Sequence, residues 1–276
     1  MKINFTKMHG AGNDFVMIDD RQGLVPWQDH FLMASLATRR LGIGCEGILL
    51  IQKSERADFR MVFLNPDGTQ VDMCGNGSRC AAAFAHAIGA AGRAMTMETC
   101  CGLMDAELTD QGVKVWMPEP SGKIHNLSVE ACGLTFNGSF MVSGVPHFVV
   151  EVEDLAAADV VGWGRALRQH PQFHPEGTNV NFVTLRAPDR INMRTYERGV
   201  EGESGACGTG AVACAIAAVE RRGFTLPIKA RTPAGYELVV GGDWRNGKCT
   251  GLTLIGPTRV VYTGEIDLNS LESELE

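Results

Sequence analysis

The sequence predicts a mixed α/β (α+β) chain built as two similar domains, on three observations. Short segments alternate apolar and polar residues with a two-residue period, as half-buried strands do. Two segments, "RCAAAFAHAIGAAG" and "GAVACAIAAVERRG", are apolar nearly all round, as an enclosed helix is. One constant offset relates the two halves. Cys74 and Cys207 stand 133 positions apart, and that offset also carries Phe15-Val16 onto Phe148-Val149, Phe63 onto Tyr196, and Thr99-x-x-Gly102 onto Thr232-x-x-Gly235. Matches in one register and one order point to an internal duplication. The unit is too long for a solenoid repeat.

Each element follows from local pattern. The first half reads strand ("KINFTK"), strand ("FVMID"), helix ("QDHFLMASLATRRLG", closed by Gly42), strand ("GILLIQ") and strand ("DFRMVFL"). An Asn-Pro-Asp-Gly turn, the helix after Cys74 and strands as far as "VKVWMPEP" complete it. The second half reads strands ("SFMVSG", "HFVVEV"), helix ("DLAAADVVGWGRALRQH") and strands ("NVNFVTL", "INMRTYE"). A Gly-rich loop, the helix after Cys207 and strands "ELVVGGD" and "LTLIGP" follow. The expected architecture is therefore a set of mostly antiparallel strands wrapped around a buried central helix, made twice. "MPEPSGK", from Pro118 to Lys123, reads as the linker. The expected domains are residues 1–118 with 264–276, carrying Cys74, and 119–263, carrying Cys207.

Composition narrows the function. Of the 276 residues, 45% are hydrophobic and 21% charged, ordinary for a globular protein. A net charge of −7 argues against a nucleic-acid partner, whose phosphates want a basic face. No stretch approaches the roughly 20 apolar residues that span a bilayer, and "MKINFTKMHG" has no signal-peptide core. A soluble, cytoplasmic protein without a membrane partner is expected. Nine cysteines, an odd number without a secretory signal, argue against a disulfide framework. No Cys-x2-Cys or His-x3-His pair suggests a metal site. Most of the cysteines are expected to be small buried hydrophobes.

Cys74 and Cys207 are different. Each stands at the start of a helix, before a Gly-x-Gly turn. First-turn N–H groups lack intrahelical partners and, with the helix dipole, attract an anion. The same field favours thiolate over thiol. Two such sites facing each other across a cleft could hold one carboxylate, with a sulfur on either side of its α-carbon. One thiolate would remove the α-proton and the opposite thiol would deliver another, inverting the centre by general acid–base catalysis. No PLP lysine motif or dinucleotide fingerprint is evident, so cofactor-free chemistry is the simpler reading. A single cysteine nucleophile in a hydrolase gives no reason for a second copy; a hydrolase or thiol redox protein would not exchange an α-hydrogen with solvent, and a plain binding module would not need two thiols beside two anion sites.

The stretches "MHGAGNDFVMID", "FLNPDGTQVDMCGNGSRC", "EGTNVNFV" and "YERGVEGESGACGTGAVA" resemble the signatures of diaminopimelate epimerase, from Met8 to about Pro257. The resemblance implies a cofactor-independent, metal-free two-base epimerase that converts L,L- to meso-diaminopimelate in lysine biosynthesis. It also implies two pseudo-symmetric domains, an active site in the interdomain cleft and a homodimer. It makes Cys74 and Cys207 the acid/base pair. Gly75, Asn76, Gly208 and Thr209 would hold the reacting carboxylate, and Asn13, Asn65, Asn179, Glu197 and Arg198 the rest of the substrate. His147 and Glu197 would adjust the thiols' protonation. His9 falls within a matching segment without an assigned role. Two departures stand out: "GVPH" places Val145 where the family often has Asn, and the loop from Arg198 to Cys207 is one residue longer. A racemase of another amino acid on the same fold is the nearest alternative, but Arg198 with three asparagines suits a substrate with a second charged end.

Overall fold

The structure, a computed structural model, describes residues 1–71 and 74–271. The chain divides into two compact units. One comprises Met1–Val115 and the chain from Gly256 onward; the other is Trp116–Ile255. Among the described residues no helix is long and apolar enough to cross a membrane.

The first unit contains β1 (Lys2–Gly10), β2 (Asn13–Asp19), α1 (His30–Ala37), β3 (Ile48–Gln52), β4 (Phe59–Leu64), α2 (Gly75–Ala87), β5 (Ala94–Thr99), β6 (Gly102–Thr109) and β7 (Gly112–Trp116). The second contains β8 (Ser121–Ala131), β9 (Leu134–Ser143), β10 (Val145–Glu151), α3 (Val160–Arg168), β11 (Asn179–Ala187), β12 (Arg190–Glu197), β13 (Gly202–Ser204), α4 (Gly208–Arg222), β14 (Ile228–Arg231), β15 (Glu237–Arg245) and β16 (Lys248–Gly256). The last strand, β17 (Thr258–Asp267), pairs with β1 in the first unit.

Strand order is the same in both units. The first runs β17-β1-β2-β3-β4-β5-β6-β7, with parallel joins only at β2–β3 and β4–β5. The second runs β8-β9-β10-β11-β12-β14-β15-β16, with parallel joins only at β10–β11 and β12–β14, and β13 lying antiparallel beside β12. The duplication is therefore visible in the ladders. Met8 faces Phe15 where Met141 faces His147, one residue off, but Val16 faces Ile48 as Val149 faces Asn181. The next ladder slips by two residues: Phe63 faces Leu49, but Tyr196 faces Val180. A two-residue slip keeps every side chain on its own face.

Strands β2 and β3 are apolar on both faces because helices cover both. Val16, Ile18, Ile48, Leu50, Val62 and Leu64 pack with Met33 and Leu36 of α1. On the other face Phe15 and Leu49 lie against α2 near Gly77. Helix α2 touches β1, β2, β3, β4, β6 and β17; α4 touches β9, β10, β11, β12, β14 and β15. Each is a core helix inside its own sheet. Small side chains (Ala81, Ala82, Ala85; Ala211, Ala213, Ala215) let the strands come close.

Several expectations are corrected. The helix predicted to reach Gly42 ends at Ala37, where Thr38 is extended; Gly42 folds back to bond Thr38 O, and Ile43 bonds Leu36 O. The helix predicted from Asp154 begins only at Val160, because the Asp159 side chain caps Gly162 N. The segment read as a linker is half strand: Ser121 starts β8 and faces Val142. Most of the cysteines other than Cys74 and Cys207 are buried as expected (Cys45, Cys80, Cys214 and Cys249), while Cys100, Cys101 and Cys132 are exposed.

Candidate active site

In the first unit, Cys74 is the N-cap of α2, with extended backbone. Its Sγ accepts from Gly77 N at 3.5 Å, as a serine or aspartate oxygen does at such a cap. The first helical bond is Ser78 N to Cys74 O, so the N–H groups of Gly75 and Asn76 precede the intrahelical ladder. Cys74 Sγ also lies 3.6 Å from Asn13 Oδ1, which accepts from Asn76 Nδ2 at 3.3 Å. Asn13 in turn donates to Glu46 Oε2 at 2.6 Å. Asn76 Oδ1 accepts from Arg79 at 2.7 Å, and Arg79 donates a second bond to Gly75 O at 3.2 Å. Arg79 is fully buried, and its Nε has no hydrogen-bond partner among the described residues.

In the second unit, Cys207 caps α4 in the same way. Its Sγ accepts from Gly210 N at 3.4 Å, and Ala211 N opens the helical ladder on Cys207 O. Cys207 is only 4% exposed. Its Sγ lies 3.5 Å from Thr209 Oγ1, and Thr209 Oγ1 lies 2.9 Å from His147 Nε2. The other ring nitrogen, Nδ1, meets Asn181 Nδ2 at 3.0 Å, and Thr195 Oγ1 donates to Asn181 Oδ1 at 3.0 Å. Strand pairing explains the cluster: Asn181 is two residues past Asn179, the ladder partner of His147, and Asn181 itself faces Thr195.

Of the residues expected to hold substrate, Asn179 and Arg198 are linked: Asn179 Oδ1 accepts from Arg198 N at 2.8 Å while its Nδ2 donates to Pro146 O. The Arg198 guanidinium donates to Glu176 O at 3.0 Å. Glu197 ends β12 beside it. Asn65 closes a tight turn by accepting from Gly68 N and donating to Thr69 O through its backbone. His9 has a turn role, its Nδ1 accepting from Gly12 N. Val145 opens β10 and faces Ser143 across the Gly144 turn. The longer loop after Arg198 is an ordered hairpin: β13 pairs with β12, Arg194 grips Glu203 with two bonds of 2.7 and 2.6 Å, and Arg168 pairs with Glu201 at 2.8 Å.

Glu46, Arg79, Asn181 and Thr195 escaped the sequence reading. The signal for Arg79 and Asn181 was a polar residue inside an otherwise apolar helix or strand.

Burial sets the ionisation of the remaining groups. Desolvation lowers His147 to about 3, with Arg198 acting in the same direction against the Asn181 hydrogen bond. The imidazole is therefore neutral at physiological pH. Desolvation lowers Arg79 to about 10, still cationic at neutral pH, with the neighbouring Cys80 and Cys74 acting against the shift. It raises Cys80 to about 12, Cys45 to about 11 and Cys214 further, so these three are thiols.

Comparison with known proteins follows the same lines. The family model for diaminopimelate epimerase matches residues 5–122 and 139–245. A diaminopimelate epimerase of Chlorobaculum tepidum is 41% identical, covering 95% of this chain and 100% of the relative. One from Archaeoglobus fulgidus is 40% identical and covers both chains completely. Among solved structures, a Bacillus anthracis phenazine biosynthesis protein of the PhzF family superposes with a TM-score of 0.75 at 15% identity, covering 96% of this chain and 99% of that one. A probable proline racemase from Agrobacterium radiobacter gives 0.72 at 19%, covering 96% and 93%. At those identities the likeness is one of fold.

Proposed function

The chain belongs to the diaminopimelate epimerase family, and from that premise we propose that it interconverts L,L- and meso-diaminopimelate by two-base proton transfer, with Cys74 and Cys207 as the bases. The observation that carries the reading is the matched pair of caps. In both units a cysteine sulfur, and no oxygen, occupies the N-cap of the core helix and receives the third N–H. A sulfur so placed is stabilised as thiolate by the helix terminus. The N–H groups just behind it suit a carboxylate whose charge grows as the α-proton leaves.

In one direction the Cys74 thiolate takes the α-proton and the Cys207 thiol delivers its own to the opposite face; in the other the roles exchange. Each turnover leaves the pair with the proton on the other sulfur. The second amino-acid end of the substrate is assigned to Arg198, Glu197 and the asparagines Asn13, Asn65 and Asn179: Arg for carboxylate, Glu for ammonium. By the same family premise the enzyme acts in lysine biosynthesis, in the cytoplasm and as a homodimer, and sedimentation at micromolar concentration tests the dimer.

The deciding experiment incubates L,L-diaminopimelate in D2O under reducing conditions and follows stereochemistry and α-deuterium. Cys74→Ser and Cys207→Ser are each expected to lower epimerisation by roughly 10²-fold or more, the ordinary worth of a general acid or base. Undiminished turnover in either variant defeats the assignment. α-Deuteration of simple apolar amino acids in preference to diaminopimelate points instead to a racemase of another substrate.

A further inference from the structure

The Thr209 hydroxyl stands between Cys207 and His147. Two hydrogen-bond arrangements could join Thr209 to the ring. Either the ring donates from Nε2 and the Thr209 hydrogen remains for sulfur, or Thr209 donates to the ring and the sulfur loses it. Which holds depends on a residue two links away. Asn181 Nδ2 lies 3.4 Å from Phe148 O, where only a donor belongs, and Asn181 Oδ1 accepts from Thr195. The amide therefore presents its N–H to Nδ1 of the ring at 3.0 Å. Nδ1 must accept, Nε2 must carry the hydrogen, and Thr209 Oγ1 must accept it at 2.9 Å.

We propose that Asn181, held by Thr195, is a positioning residue that locks His147 in its neutral Nε2–H tautomer and so turns the Thr209 hydroxyl hydrogen toward Cys207 Sγ. The inference rests on the reading of Cys207 as a base. The hydroxyl hydrogen steadies the thiolate whenever Cys207 has given up its proton, while the imidazole itself never takes that proton. The whole chain of groups is enclosed: His147 and Asn181 are fully buried, Thr195 and Thr209 nearly so. Arg198 is the charged group facing the ring, and it opposes an imidazolium. The arrangement also accounts for Gly210, since a Cβ there would stand 2.5 Å from Asn181 Oδ1 and 3.2 Å from Cys207 Sγ.

The test is nitrogen NMR of uniformly 15N-labelled protein, with the His147 signals identified by their loss in His147→Gln. The expected wild-type pattern is a protonated Nε2 and a bare Nδ1 that do not change from about pH 5 to about pH 9. In Asn181→Asp, which has no hydrogen to offer, Nδ1 is expected to become protonated. In Asn181→Leu, alkylation of Cys207 by iodoacetamide, measured by mass spectrometry against Cys74 in the same sample, is expected to slow about fivefold, the worth of one hydroxyl hydrogen bond. Should Asn181→Leu fail to fold, Thr195→Val is expected to release the amide and give both tautomer patterns. A wild-type ring protonated at Nδ1 overturns the proposal. So does an Asn181→Asp ring whose Nδ1 stays bare, or a variant that loses thermal stability while the tautomer and Cys207 reactivity stay put. The tautomer is read without substrate, so failure of the two-base assignment leaves its own, separate trace in the D2O experiment.

Discussion

Two buried nitrogenous groups, Arg79 and His147, do opposite electrostatic work. His147 is neutral in the fold, at about 3 against an ordinary value near 6.5. Below about pH 6.5 the unfolded chain binds a proton that the folded one refuses, so this contribution to stability is whole above that pH and declines as pH falls toward about 3. The wild type is expected to lose about 2 kcal/mol more unfolding free energy than His147→Gln between pH 7 and pH 5, measured by urea titration. Arg79 instead keeps its charge and clamps the first turn of α2 through Gly75 O and Asn76 Oδ1. Arg79→Ala should cost about 2 kcal/mol or more, from lost charged hydrogen bonds and the cavity left behind, on the same assay.

The core helices look alike but tolerate different changes. Gly77 in α2 and Gly210 in α4 hold the same position after their cysteines. A Cβ at Gly77 would meet Leu49 Cδ1 at 3.4 Å, an ordinary contact, whereas at Gly210 it would strike Asn181. Gly77→Ala is therefore expected to melt at or slightly above the wild-type temperature, since Ala favours a helix by up to ~1 kcal/mol over Gly. Gly210→Ala should melt lower, because the polar cluster around Asn181 must give way. Helix α3 supplies a third case. Gly164 rests directly on Tyr196, and an added methyl would collide with its Cβ and ring. Gly164→Ala should lift α3 from β12 and lower the melting temperature; no change would mean the helix can shift freely.

For the whole chain, the end closes the beginning. β17 holds in the first unit the place that β8 holds in the second, beside β1 and β9 respectively. The order of the repeat is thus rotated along the chain, and the first unit is completed only when residues 258–267 have been made. Leu268 then joins Ile3 and Phe5 in the apolar cluster under α1. A chain ending at Pro257 should lose the pairing of Lys2–Gly10 and expose Phe5 as an edge. It is expected to aggregate or to lose hydrogen-exchange protection at β1, while protection in β10–β12 persists. Unaltered protection at β1 would show that β17 is dispensable.

Much of this was legible in the residues alone. The duplication, the two enclosed helices and the family were readable because small-residue periodicity and a fixed offset are local, additive signals. So were both cysteines, since a helix start is written in the residues that form it. Helix ends were less legible: α1 and α3 stop where a threonine turns extended and where an aspartate captures an N–H, single hydrogen bonds that outweigh propensity. Strand β17 was missed because its partner lies at the far end of the chain. The polar chain behind Cys207 could not be assembled from sequence, although His147, Thr209 and the polar Asn181 within an apolar strand were each visible there. Asn181 and Thr195 meet His147 only through strand register, and register, the sum of many distant pairings, decides which of three well-separated side chains share one set of hydrogen bonds.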